Sequence, residues 1–131
     1  MTPSVPLIQI VAVALGSAVG GVSRWSVQLW LNERWTGFPL GTWVVNCVGG
    51  LLIGMALAWF ARSPNDTLRL LVITGFLGGL TTFSSFSGES LSLLQRGDFF
   101  WAAAHALAHL LGALLFCAAG FRLVESLASG S

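Results

Sequence analysis

Residues 75–90 read GFLGGLTTFSSFSGES, and ten of these sixteen positions are glycine, threonine or serine. The chain around them is of a very different character. It is 55% hydrophobic and 8% charged, with a mean hydropathy of +0.82, where soluble domains carry roughly 25% charged residues. The charges are also segregated. None falls within 1–23, 35–61, 70–88 or 99–121, which leaves uncharged runs of 23, 27, 19 and 23 residues. A helix needs about 20 apolar residues to cross a hydrocarbon core of about 30 Å. The pattern therefore predicts an all-α integral membrane protein with four transmembrane helices, at about residues 5–31, 39–61, 68–94 and 99–123 of one membrane domain spanning 1–131. The first run lacks a basic leader and exceeds the apolar stretch of a signal peptide, so it reads as a span rather than a removable segment.

Residues 75–90 thus fall in the third span, where their composition needs a reason. Gly78 and Gly79 weaken a helix in mid-membrane, and Thr81 and Thr82 compete for its backbone hydrogen bonds. The expectation is a break near Gly78–Thr81. Broken backbone at membrane depth is tolerated only where protein or a cavity covers it, and carbonyls freed at such a break can hold a cation. Beyond it, Phe83 and Phe86 share a helix face with Ser84 and Ser87 beside them. Aromatic ring edges are electropositive, so Phe edges next to hydroxyl donors can shelter a small anion. The alternative is an unbroken, glycine-packed helix with two core phenylalanines.

The remaining polar residues inside the spans are few. Asn46 lies four residues before Gly50, on the same helix face, and serves either as interhelical glue or as an amide donor to an anion. Arg24 sits near the end of the first helix, where it either snorkels or makes a positive vestibule. Glu89 is the one carboxylate well inside a span; it is a functional candidate, a residue at a water-filled end, or the partner of an Arg. His105 and His109 are one turn apart on the fourth helix, and two such ligands without a nearby Cys or carboxylate make a weak metal site, leaving polar lining or packing. Cys47 and Cys117 show no CxxC spacing and read as small apolar fillers. No nucleophile, phosphate-loop or zinc-protease motif points to an enzyme, and a net charge of +1 offers no patch for nucleic acid.

Four spans place Arg62, Arg69 and Arg122 on one side, with Arg34, Arg96 and in one geometry Arg24 on the other. The positive-inside rule orients a protein through an imbalance that is almost missing here. Either a weak bias is corrected by other factors, or copies insert both ways. Gly16 and Gly20 in the first helix, and Gly50 and Gly54 in the second, have the GxxxG spacing that lets helices approach closely. Four thin helices do not enclose a polar pathway and also pack a bundle, so an oligomer is expected.

GFLGGLTTFSSFSGE closely resembles the third-helix signature of the Fluc (CrcB-type) fluoride channels, G-x-x-G-[GS]-[LF]-[ST]-T-F-S-[ST]-F-x-x-E. GSAVGGVSRW in the first helix and GTWVVN in the second extend the resemblance over the whole chain. It implies an antiparallel, dual-topology homodimer in the cell inner membrane, with two narrow fluoride pathways at the interface. It also implies a central structural Na⁺ on backbone carbonyls, here those of Gly78 and Thr81. By position, Phe83 and Phe86 match the phenylalanines whose edges face fluoride, and Asn46 the pore-lining asparagine. Ser84 and Ser85 match the hydroxyl positions, Arg24 the vestibule arginine, and Glu89 the closing acid. The fourth helix departs from the pattern: some relatives place Tyr or Ser where this chain has His105, His109 and Ala113, which implies a pathway using imidazoles in place of hydroxyls. The activity implied is passive, selective export of cytoplasmic fluoride. The rivals are a small dual-topology, proton-coupled exporter of the multidrug type and a non-transporting assembly factor. The exporter class relies on a carboxylate in its first helix, and residues 5–31 contain none.

Overall fold

The computed structural model describes residues 4–35 and 37–130; Thr36 in the first loop and Ser131 at the end of the tail lie outside the described residues. Helix α1 (Leu7–Leu31) begins directly after Pro6 and α2 (Leu40–Arg62) directly after Pro39. Proline lacks an N–H and holds φ near the helical value, so it costs a helix nothing at its start. The third span runs from Asp66 to Gln95 in four pieces. A first turn, α3 (Asp66–Arg69), is capped by Asn65, whose side chain accepts from the Leu68 N–H at 3.0 Å. A π-helical segment follows at Leu70–Leu77, then the short α4 (Gly78–Leu80) and finally α5 (Phe83–Gln95). Gly97, at φ +77°, turns the chain into α6 (Phe99–Ser129). Four stretches, Leu7–Leu31, Leu40–Arg62, Asp66–Gln95 and Phe99–Ser129, are long and apolar enough to cross a membrane. With no strand among the described residues, this is an all-α, multi-pass membrane fold.

The fourth span continues through Ser129 rather than ending near 123, into the tail residues LASGS. Between Leu123 and Ser129 the chain has good helix formers and meets its first glycine only at Gly130.

The break in the third span falls at Thr81 and Thr82, both extended, with φ/ψ of −90°/157° and −151°/122°. Gly78 is helical, at −62°/−36°. The expected break is therefore present at the threonine end of its window, and the glycines do something else. A Cβ on Gly79 would lie 2.6 Å from the Ser17 carbonyl oxygen and 2.9 Å from the Gly21 nitrogen, and one on Gly75 would lie 3.0 Å from Gly16 Cα. The two glycines let the third span lie backbone to backbone against α1.

Gly16 and Gly20 form the reciprocal surface on α1. Gly50 and Gly54 bring α2 equally close to α6, against Ala113 and Cys117. The fold is thus two tight helix pairs, α1 with the third span and α2 with α6, joined through a small core of Val45, Leu77 and Leu80. Leucines 107, 111, 114 and 115 of α6 are exposed, as suits a face against lipid.

Candidate functional site

The break sets the site. In a continuous α-helix the Thr82 N–H would bond to the Gly78 carbonyl and the Ser85 N–H to the Thr81 carbonyl. Here Thr82 N–H donates to Asn46 Oδ1 at 2.8 Å, and Ser85 N–H to Thr82 Oγ1 at 3.0 Å, so Thr82 serves as N-cap of α5. Asn46 also returns a bond from Nδ2 to the Thr82 carbonyl at 3.0 Å. One side chain from α2 thereby satisfies both backbone groups of the residue at the break. Gly78 and Thr81, the two carbonyls named for a cation, are among the four, from Gly78 to Thr81, that lose their helical donors at the break. Thr81 Oγ1 donates back to the Leu77 carbonyl at 2.8 Å, the backbone competition expected of threonine here.

Beside the break lies an open groove of about 620 Å³ between α2, the third span and α6. Its walls are mostly apolar. Asn46, Thr81, Thr82 and His109 bring polar atoms to it, and Gly78, Phe83 and Phe86 line it as well. Phe83 is 78% exposed, and its ring centroid is 5.4 Å from that of Phe86. Phe86 in turn stacks on His105, at 5.0 Å and 7°, and sits 4.8 Å from His109. His109 is buried, with Nδ1 3.2 Å from Asn46 Nδ2 and with Nε2 lacking any hydrogen-bond partner.

A second hollow of about 240 Å³ is lined by Asn32, Trp35, Phe38, Glu89 and Arg96, among others. Glu89 closes it from within. Its Oε1 accepts from Thr42 Oγ1, and its Oε2 lies 3.1 Å from His105 Nε2, so its partners are a threonine and a histidine rather than an Arg. Thr42 and His105 are both fully buried. Ser90 Oγ meets His105 Nδ1 at 3.0 Å. The His105 and His109 ring centroids are 4.5 Å apart, so Glu89, His105 and His109 form a continuous file from the smaller hollow to the groove. One ligand atom from each of the three lies within 4.8 Å of the others, so the histidine pair does have a carboxylate beside it.

The other expected site residues stand further off. Arg24 Nε donates to the Gly79 carbonyl at 3.1 Å, and its Nη1 to Gln28 Oε1 at 3.3 Å, which anchors α1 to the third span. Ser85 Oγ receives Gln28 Nε2 at 3.4 Å. Ser84 is exposed and pairs with Thr82 Oγ1 at 3.2 Å. None of the three is among the residues lining the groove.

Compared with known proteins, residues 11–121 match the family model described as CrcB-like protein, Camphor Resistance (CrcB). The chain belongs to the CrcB family. Among its relatives, a protein of Nitrosomonas europaea named fluoride-specific ion channel FluC is 49% identical over 117 residues, 88% of this chain and 92% of that protein. Proteins of the same name from Erwinia tasmaniensis and Pseudomonas aeruginosa are 47% and 50% identical, over 90% and 85% of this chain and 96% and 89% of their own lengths.

In this CrcB chain the sequence reading passes over Gln28 and Thr42, which connect Arg24 to Glu89: Gln28 Nε2 donates to Thr42 Oγ1 at 3.1 Å. Both carry a signal in their spacing. Gln28 is four residues after Arg24, and Thr42 four before Asn46, so each shares a helix face with a residue already marked as polar.

Proposed function

We propose that this protein is a passive, fluoride-selective channel of the inner membrane that works as an antiparallel homodimer, with one pathway along each groove. The observation that carries the reading is the groove itself: a membrane-depth concavity, open at the side of the chain, where an exposed Phe83 and its neighbour Phe86 stand beside Asn46, Thr82 and His109. An aromatic ring 78% exposed beside polar atoms is a wall that a partner copy can complete. The relatives' names supply the ion.

Fluoride is small and strongly hydrated, so its passage requires donors close at hand throughout. Ring edges and N–H or O–H groups act as such donors. A fixed, narrow route also rejects larger chloride. Flow is driven by the fluoride gradient, which weak-acid trapping supplies when HF enters and dissociates inside.

The break fits a structural Na⁺. The Gly78 and Thr81 carbonyls lack their helical donors and both residues line the groove, so they would hold the ion against the partner's equivalents. The cation would tie the two breaks together and take no part in fluoride movement.

Fluoride and chloride efflux from liposomes containing the purified protein tests the reading. Rapid fluoride release with chloride retained is expected. No fluoride release, or release only with a proton gradient, would overturn it.

A further inference from the structure

Asn46 has a second effect, which follows from the identity of its partners. Thr82 N–H can only donate and the Thr82 carbonyl can only accept, so the two together fix which end of the Asn46 amide is oxygen and which is nitrogen. The atom facing His109 Nδ1 at 3.2 Å is therefore the donor-only Nδ2. A ring nitrogen opposite a donor must accept. With Nδ1 accepting, the imidazole proton resides on Nε2, and Nε2 is the buried atom without a partner. Both protons of Asn46 Nδ2 are engaged, one on Thr82 and one on His109.

We propose that Asn46 is a positioning residue that acts through His109: it holds the imidazole in its Nε2–H form, and that N–H, rather than the asparagine amide, is the donor offered to the anion in the groove. A buried N–H with no partner is costly, a cost that a transient anionic acceptor offsets and an apolar packing role does not. The same lock would withhold from a metal a trio that is built like a metal site. Glu89, His105 and His109 are close enough to share an ion, but a ring whose Nε2 carries hydrogen has its one available lone pair, on Nδ1, already engaged by the Asn46 amide. The donor role rests on the channel reading; the tautomer does not.

Replacing Asn46 by Asp separates the two. Aspartate still accepts from Thr82 N–H but presents only oxygen to His109, which draws the proton to Nδ1 and leaves Nε2 with a lone pair in place of its hydrogen. The measurement is ¹⁵N NMR of histidine-labelled protein in fluoride-free nanodiscs, with His105→Gln used to assign the signals. Wild type is expected to show His109 with Nε2 protonated and N46D with Nδ1 protonated, while fluoride efflux falls roughly 10- to 100-fold, the effect of losing one hydrogen bond to a charged group. Wild-type His109 protonated on Nδ1, or N46D unchanged at Nε2, would overturn the lock. N46D with the switched tautomer and undiminished efflux would overturn the donor role. If N46D does not fold, the wild-type spectrum alone decides the lock, and the fluoride-induced shift of its Nε2 signal decides the role: a shift is expected, and its absence overturns it. A wild-type protein with no fluoride efflux at all would sink the channel reading and leave the tautomer result standing.

Discussion

Replacing Gly79 by alanine separates two accounts of the glycines in the third span, because the accounts disagree in sign. If Gly79 is there to weaken the helix, alanine should stabilise the protein by about 1 kcal/mol, the propensity difference between the two residues. The structure gives the opposite result. The added Cβ would sit 2.6 Å from the Ser17 carbonyl oxygen and 2.9 Å from the Gly21 nitrogen, where ordinary contact begins at 3.4 Å. Both are backbone atoms, so no side chain can swing aside, and α1 has to retreat by about 0.8 Å in a close-packed interior. Overpacking of this kind costs about 3 kcal/mol at the upper end of its usual range. After the propensity gain, about 2 kcal/mol of destabilisation remains. The retreat also stretches the bond from Arg24 Nε to the Gly79 carbonyl, now 3.1 Å. Gly88→Ala is the control, since no atom lies within 4 Å of its added Cβ; it should gain up to about 1 kcal/mol. Reversible SDS titration followed by Trp fluorescence would measure both. A Gly79→Ala protein as stable as Gly88→Ala would refute the backbone-contact account.

Three further outcomes follow from the site. Phe83→Ala and Phe86→Ala should each sharply reduce fluoride efflux from liposomes while leaving the proposed dimer intact on size-exclusion chromatography; unchanged efflux in both would remove the ring edges from the mechanism. Thr42→Val should destabilise the protein by about 1–3 kcal/mol in the same SDS titration, because it deprives half-buried Glu89 Oε1 of its donor and Gln28 Nε2 of an acceptor. Thr42→Ser, which keeps the hydroxyl, should cost much less, and equal losses in the two variants would assign the effect to packing. Finally, N46D should acquire a tetrahedral Co²⁺ absorption band of about one ion per chain that disappears with His105→Ala added, where wild type shows none. A band in wild type would mean that the ligand trio was never withheld.

The four spans were legible because charge segregation is a strong signal: an arginine or carboxylate inside the bilayer is costly, so the gaps between charges mark the helices. The break was legible from Thr81 and Thr82, which compete for backbone bonds, but the glycines beside it pulled the expected position toward Gly78. Helix propensity is a local quantity, and what Gly75 and Gly79 contribute is contact with α1 more than fifty residues away in sequence. The π-helical stretch at Leu70–Leu77 left no mark in a run of ordinary apolar residues. The Glu89–His105 pair was missed for a similar reason. Sixteen residues and a turn separate them, and only the angle at which α5 meets α6 brings the carboxylate to the imidazole. Asn46 was legible as important and its two proposed roles were both sound chemistry, but which atoms it engages depends on the exact register of α2 against Thr82.

The junction between α4 and α5 has a mechanical consequence. Interrupted helices often act as hinges, since the missing hydrogen bonds leave two rigid arms free to swing. At Thr82 the missing bonds are remade to a single side chain from another helix, at 2.8 and 3.0 Å. Swinging α5 would rupture both at once. The joint is therefore a brace: it bends the path of the backbone while fixing the angle, and it carries Phe83 and Phe86 as a rigid extension of α2. On the proposed channel reading, a passage walled in this way would keep one diameter and would sort ions by size without having to open.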